Sequence, residues 1–526
     1  QRDMKVPVWG WAEPGEKVTV EFAGQAVQAV TDKNGLWRAV LEPLKAGGPF
    51  EMTITGANKR VLKNVMVGEV WICSGQSNMY LKVNKALNAQ HEIDDADYPK
   101  IRFFTTNPVR STTPLNDVKN NWIECSSKTV GDFSAVGYYF GRQLHKEMNV
   151  PVGLIQSSLG GVVVESWIRA EAMKSDESFK PILQEWDRRI GQFDSAKAAQ
   201  DYKLALEKWE RESAAASQAT SLSTSSPAGK PLPKPREAIS PALDRNRPGA
   251  LYNSTIAPLT SYAIRGAIWY QGEANAARAY QYRALLKTLI TDWRKQWGQG
   301  DFPFIIVQLP NFHSPQTQPV EYDSWPELRE AQVMALSLPN TAMACIIEMG
   351  EANDIHPTNK EEVGRRLALA AMGKVYEKKI EFMGPMYDSS TIEGNKIRIK
   401  FKHVGSGLAA MDVKNPQPAS SASQTATTTS TGPSAVVPTK PILTPAKALT
   451  GFAIAGEDKN FVWAQATIDG DSIVVWSDKV ANPVSVRYGW ASNPSGNLYN
   501  KEELPASPFR TDNWPGKTDK NQVPKD

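Results

Sequence analysis

The segment Cys73-Ser74-Gly75-Gln76-Ser77-Asn78-Met79 sets a serine among small and amide residues directly after an apolar run. A serine there can begin a helix with its hydroxyl exposed, where the helix dipole and free backbone N–H groups would stabilise a developing oxyanion. The same pattern also suits a plain strand-to-helix turn in which Ser77 is only an N-cap. A nucleophilic serine needs a base, and the chain has five histidines. His91 lies in the acidic run HEIDD, His145 among Gln143, Lys146 and Glu147, and His403 after a basic strand-like segment, so these three read as solvated. His313, in Pro310-Asn311-Phe312-His313, follows an apolar run and could line a pocket. His356 is the strongest candidate, because Asn353-Asp354-Ile355-His356-Pro357 supplies a carboxylate two residues away and is expected to open a helix. An Asp beside a His can fix the imidazole tautomer and stabilise the imidazolium. The competing reading makes Asp354 an N-cap and His356 merely exposed. Two more loops carry donors. Ser157-Ser158-Leu159-Gly160-Gly161 has paired glycines that let backbone N–H groups approach a substrate oxygen. In Trp269-Tyr270-Gln271-Gly272-Glu273-Ala274-Asn275, Gln271 or Asn275 could complete an oxyanion hole with a side-chain amide.

These loops share a position, each following one of five short apolar runs: VGEVWICSG (67–75), VPVGLIQSS (150–158), AIRGAIWYQG (263–272), PFIIVQLP (303–310) and TAMACIIEMG (341–350). Helix-like segments such as SAVGYYFGRQLHKEM and AYQYRALLKTLITDWRKQW lie between them. Buried strands alternating with amphipathic helices imply parallel strands with right-handed crossovers, hence an α/β fold with a doubly wound sheet. Ligands of such sheets sit at the carboxyl ends of the strands. Residues 1–66 instead alternate in the strand manner, with turns at Glu13-Pro14-Gly15 and Lys33-Asn34-Gly35, and read as a small N-terminal β-sandwich. Residues 67–374 are expected to form the catalytic domain, with a helical and low-complexity insertion over about 170–240. Residues 375–526 are expected to be a second β region with a mobile, disordered loop over about 415–442, where the sequence is rich in Pro, Ser and Thr.

GQSNM, SSLGG followed by ESW, RPGALYNSTIAPL leading into IRGAIWYQGEANA, and NDIHPTNKEEVGRRLA together resemble the sialate O-acetylesterase family, a branch of the SGNH (GDSL-like) carbohydrate esterases. The likeness runs on to VRYGWASNPSGNLYNKEELPASPFRTD and covers most of the chain. It implies an SGNH-type serine esterase that removes acetyl groups from sugar hydroxyls without a cofactor or metal. Ser77 would be the nucleophile, His356 the base and Asp354 the orienting acid. The oxyanion donors would be the Ser77 amide, the Gly160/Gly161 backbone and the Gln271 side chain. Many SGNH enzymes carry the acid three residues before the histidine, where Asn353 stands here, so a Ser-His dyad helped by a backbone carbonyl is the alternative. Asn275, Glu273, His313 and Arg169 are candidate substrate-binding residues. Arg169, close after the Gly-Gly loop, and Arg278, after QGEAN, are the arginines to inspect first for a sialate carboxylate, and each also suits a solvated or helix-capping role. The acetylated glycan could be sialic acid or a plant cell-wall polysaccharide such as xylan or xyloglucan.

Composition narrows the alternatives. With 526 residues and three scattered cysteines the chain is no disulfide-stapled scaffold, and no CxxC spacing suggests a zinc or redox site. Sixty basic against fifty-six acidic side chains, without a long run of either sign, do not point to nucleic acid or an anionic membrane as partner. No apolar stretch approaches the ~18 residues that span a bilayer. The absence of HxxxH or HExxH argues against a metal-dependent deacetylase. Sixteen tryptophans leave room for a non-catalytic glycan-binding protein, and an SGNH lipase or thioesterase is the other rival, though the loops are rich in amides and hydroxyls. A chain starting at Gln1 without Met suits a processed periplasmic or secreted protein. Cys73 and Cys345 lie on the runs leading to Ser77 and His356, so both are expected to be buried and unreactive.

Overall fold

The computed structural model describes residues 1–222, 232–415 and 436–523. At the N-terminus, β1 (Val6–Trp11) pairs with β4 (Leu36–Leu41), while β2 (Lys17–Phe22), β3 (Gln25–Val30), β5 (Gly47–Thr55) and β6 (Lys59–Val67) form a four-stranded antiparallel sheet. The alternation in KVTVEF and LWRAVL sends Val18, Val20, Phe22, Trp37, Ala39 and Leu41 into one small core.

A seven-stranded sheet follows, made of β7 (Glu69–Gly75), β8 (Asp97–Thr105), β9 (Ile123–Ser126), β10 (Val152–Ser158), β11 (Gly266–Tyr270), β12 (Phe304–Gln308) and β13 (Thr341–Cys345). Its order is β13-β12-β11-β7-β10-β8-β9, parallel throughout except for the edge pair β8/β9. The five apolar runs are five of these strands. The strands β8 and β9 lie outside the five apolar runs: DYPKIRFFT mixes charge and proline with its apolar residues, and β9 is a short antiparallel edge that needs no continuous apolar run. Because β7 is central and the chain leaves it toward opposite sides, its carboxyl end is the crevice where a doubly wound sheet takes ligands.

The helices cover both faces. They are α1 (Ser77–Tyr80), α2 (Ala89–Asp94), α3 (Ala135–Met148), α4 (Ala170–Met173), α5 (Lys180–Gln192), α6 (Ser195–Leu222), α7 (Ala279–Trp297), α8 (Ser324–Met334) and α9 (Lys360–Lys374). In the β7/β11 register Trp71 and Cys73 face one way, Trp269 the other. Trp71 meets Phe140 of α3, edge to face at 5.1 Å, and Trp269 meets Trp293 of α7 at 6.1 Å. Alternate residues of two central strands thus dock helices on opposite faces. Trp71, Trp167, Trp269 and Trp293 are all fully buried, so these four tryptophans are core. Trp11 and Trp463 are exposed.

C-terminal to α9, antiparallel strands from Met386–Glu393 through Phe509–Arg510 form three small sheets around a core that includes Ile397, Ile399, Phe452 and Val475. The fully buried Arg329 of α8 ties this region to the main sheet by donating to the carbonyls of Leu309, Pro310, Ala491 and Ser492. Most of the expected mobile loop lies outside the described residues, as does part of the Ser/Pro-rich tract after α6. Its last residues are docked, with Asn88 Nδ2 donating to Val437 O at 2.7 Å and Asn359 Nδ2 to Thr439 O at 2.6 Å.

Candidate active site

Ser77 is the first residue of α1, directly past the end of β7. The turn demands a glycine at 75: its φ is +136°, and a Cβ there would lie 2.1 Å from the Tyr270 carbonyl oxygen. With Gln76 N donating to Tyr270 O at 3.0 Å, this close approach locks the nucleophile turn onto β11. Ser77 opens the helix, so no earlier turn accepts its N–H. Its Oγ stands 2.8 Å from His356 Nε2 across 279 residues of chain.

His356 does not begin a helix. It lies in a bend, and α9 starts at Lys360 with Asn359 as N-cap, its side chain accepting from Glu362 N at 3.3 Å. Asp354 Oδ1 accepts from the His356 backbone N at 2.8 Å and lies 3.5 Å from His356 Nδ1. Both side chains are about half in water, at 41% and 55% exposure. This carboxylate turns the histidine loop and faces the ring, but more loosely than a buried, hydrogen-bonded acid would.

The loop after β10 closes the other side. Built on Gly160, a Cβ would lie 3.5 Å from Ser77 Cβ; built on Gly161, whose φ is +65°, it would lie 3.6 Å from an Arg245 terminal nitrogen. Gly160 is therefore the glycine that faces the nucleophile, a choice the sequence left open. Among the described residues no acceptor takes the N–H of either glycine.

The amides after β11 correct an expectation. Gln271 Nε2 donates to Asn275 Oδ1 at 2.7 Å and to Val162 O at 3.3 Å, and its Oε1 accepts from Tyr282 OH at 2.8 Å. Asn275 Nδ2 donates to Glu165 Oε2 at 2.9 Å, while its Oδ1 accepts from Val164 N at 2.9 Å. Both residues are fully buried. The bend at 162–165 has its backbone polar groups inside the protein, and these groups require partners. Gln271 and Asn275 supply them and hold the two loops together, so neither amide is free for an oxyanion or a sugar.

The remaining candidates divide. Arg169 is spent on Asp292, with Nη2 donating to Oδ1 at 2.6 Å and Nε at 2.9 Å, and Arg278 pairs with the buried Glu165. Neither guanidinium is available for substrate, because each neutralises a buried carboxylate. His313 is exposed on a left-handed residue, φ +71°, with its ring 4.0 Å from that of Phe312. Glu273 lies beneath the site, its Oε1 accepting from Asn78 Nδ2 at 2.7 Å, and burial raises its carboxyl above the ordinary carboxylate value.

Two residues the sequence reasoning did not single out reach this region. Gln76 Oε1 accepts from Ala274 N at 3.2 Å, tying the nucleophile turn to the loop after β11. Arg245 is exposed and makes no side-chain hydrogen bond or ion pair among the described residues. Its backbone is held, since Ser166 Oγ donates to Arg245 O at 2.8 Å and Val163 N to Asn246 Oδ1 at 3.3 Å. Position 245 stands just before RPGALYNSTIAPL and far in sequence from Gly161, so only the folded chain brings the two together. Cys73 is fully buried, and a Cβ on Gly137 of α3 would lie 3.1 Å from its sulfur; burial pushes its thiol far up and that of Cys345 to about 12. Among the described residues no group of three or more His, Cys, Asp or Glu is placed to hold a metal ion, and no helix is long and apolar enough to cross a membrane.

Comparison with known proteins identifies the chemistry. The family model for carbohydrate esterases described as sialic acid-specific acetylesterases matches residues 241–373. The sialate O-acetylesterase of Mus musculus is 31% identical over 418 residues, 72% of this chain and 72% of that protein. The human sialate O-acetylesterase is 27% identical over 428 residues, 74% of this chain and 71% of that protein. A carbohydrate acetylesterase from Xanthomonas citri superposes with a TM-score of 0.74 at 31% identity, covering 98% of this chain and 97% of its own. Resemblance of this extent to a mammalian esterase and to a bacterial one makes this chain a member of the sialate O-acetylesterase family, a carbohydrate O-acetylesterase.

Proposed function

We propose that Ser77 attacks the acetyl carbonyl while His356 Nε2 takes the hydroxyl proton and returns it to the departing sugar oxygen; water then repeats the sequence on the acetyl-enzyme. The observation that carries this reading is the 2.8 Å separation of Ser77 Oγ and His356 Nε2 at the carboxyl edge of the central strand. For Nε2 to accept, the ring must carry its proton on Nδ1, the tautomer that the Asp354 carboxylate favours. We assign the oxyanion to the N–H groups of Ser77, at the start of α1, and of Gly160, in the loop after β10 that approaches Ser77. Each such donor is worth about 2.7–4 kcal/mol in the transition state. Ser77→Ala should abolish turnover of 4-nitrophenyl acetate with an unchanged circular dichroism spectrum, and undiminished activity would remove the assignment.

For the sugar, we infer an acidic one. The unpaired Arg245 guanidinium beside Gly161 is a donor fork suited to a carboxylate. Polymeric and cell-surface glycans lie outside the cytoplasm, so we place the reaction in the periplasm or outside the cell. Acetate release from acetylated sialosides, xylo-oligosaccharides and xyloglucan fragments tests the substrate. Equal kcat/KM for acidic and neutral acetyl sugars, unaffected by Arg245→Gln, would refute the acidic preference.

A further inference from the structure

A charged cluster lies directly under the catalytic pair. Lys360, the first residue of α9, is fully buried, and its Nζ donates to Asn78 Oδ1 at 2.6 Å and lies 5.3 Å from the centre of the Tyr270 ring. The Asn78 amide in turn donates to Glu273 Oε1 at 2.7 Å and to Ile355 O at 2.9 Å. Glu273 Oε2 has no partner among the described residues. A cation at a helix N-terminus opposes the helix dipole, and a buried ammonium carries a large desolvation penalty. Neither cost is explained by packing.

Position explains it. Asn78 follows the nucleophile and Ile355 precedes the base, so the bond from Asn78 Nδ2 to Ile355 O bridges the two loops that must keep Ser77 and His356 in register. An Asn amide can be held either way round unless something fixes it. An ammonium has donors only, so it accepts no orientation of Asn78 except the one with Oδ1 toward Lys360 and the NH2 toward Ile355 and Glu273. We propose that Lys360, Asn78 and Glu273 form a clamp that sets the Ser77–His356 distance, with Lys360 as the positioning residue that orients the Asn78 amide. This rests on the reading of Ser77 and His356 as nucleophile and base. Burial holds the Lys360 ammonium down to about 7 and Glu273 up, in each case against the attraction between the two, so the donors-only form of Lys360 that fixes the amide is the one present below about pH 7.

Asn78→Asp tests the clamp. Aspartate still accepts from Lys360, but it cannot donate to Ile355 O and it sets a second carboxylate against Glu273. With 4-nitrophenyl acetate as substrate, kcat should fall about 10- to 100-fold, the scale of a misplaced catalytic group, with KM unchanged. Labelling of Ser77 by a fluorophosphonate should slow in parallel. Lys360→Met keeps the length, removes the donor and frees the amide to turn, and it should give the same split between kcat and KM. Full kcat in both variants, with Ser77→Ala inactive in the same assay, would overturn the clamp alone; an active Ser77→Ala would instead overturn the site on which it rests. A fall in kcat/KM carried by KM alone, with kcat intact, would also overturn it, because a misplaced catalytic pair lowers kcat. If Asn78→Asp fails to fold, Lys360→Met decides by the same criteria.

Discussion

Replacing Asp354 by Asn separates the charge of the acid from its role in shaping the loop. Asparagine Oδ1 can still accept from the His356 backbone N, the 2.8 Å bond that turns the segment, so the substitution removes little besides the carboxylate facing the ring. What the charge contributes follows from its place. Asp354 Oδ1 lies 3.5 Å from His356 Nδ1, with the two side chains 55% and 41% exposed. Unit charges about 4 Å apart interact by about 1 kcal/mol in bulk water and about 4 kcal/mol near a protein surface. Half-solvated partners lie between these limits and are further screened by salt, so the imidazolium formed in the transition state gains about 2 kcal/mol. That corresponds to a ~30-fold loss of kcat in Asp354→Asn. A buried triad acid in the same role is worth about 10⁴-fold. Steady-state hydrolysis of 4-nitrophenyl acetate, beside His356→Ala at a loss of about 10⁶-fold, measures the ratio directly. A fall of about 10⁴-fold in Asp354→Asn would show a closed, desolvated triad and refute the argument from exposure. No fall at all would show a dyad to which Asp354 lends only its turn.

Gly75→Ala should destroy activity and destabilise the protein, read by urea denaturation, because the added methyl would meet the Tyr270 carbonyl at 2.1 Å where neither strand can move aside. Arg169→Ala should leave KM for every acetyl sugar unchanged while lowering stability by about 1–2 kcal/mol, since a partly exposed ion pair with Asp292 is lost; a raised KM would restore it to the substrate site. Arg329→Met, which strands the carbonyls of Leu309, Pro310, Ala491 and Ser492, should cost about 3–5 kcal/mol in the same denaturation. The thiols of Cys73, Cys125 and Cys345, all buried and pushed up by desolvation, should resist Ellman's reagent in the native enzyme at pH 8 and react on unfolding.

Much of this was legible in the chain because local patterns and local chemistry coincide there. Five apolar runs had to be strands of a covered parallel sheet, since only burial on both faces tolerates such continuity. Ser77 stood out because a small-residue turn after a strand presents a hydroxyl, and His356 because four other histidines had poorer surroundings. Where long-range partners decide, the reading failed. Gln271 and Asn275 have the right type for oxyanion donors, but their amides are taken by Val162, Val164, Glu165 and Tyr282. Arg169 and Arg278 are near the motifs in sequence, but Asp292 and Glu165 occupy them. The edge strands β8 and β9 escaped because an edge needs only intermittent apolar contacts.

By itself, the order of residues determined the strand and helix periodicities and the chemical types present in each loop, because these depend on neighbours within a few positions. Only the tertiary structure decided which polar groups stay free. A hydrogen-bond donor is available to a substrate when nothing in the fold has claimed it, and the claims on Arg169, Arg278 and Lys360 come from residues more than a hundred positions away, while Arg245 is left unclaimed among the described residues. Burial makes those claims binding, since a buried polar group without a partner is too costly to leave, and it is the folded chain that chooses the partner.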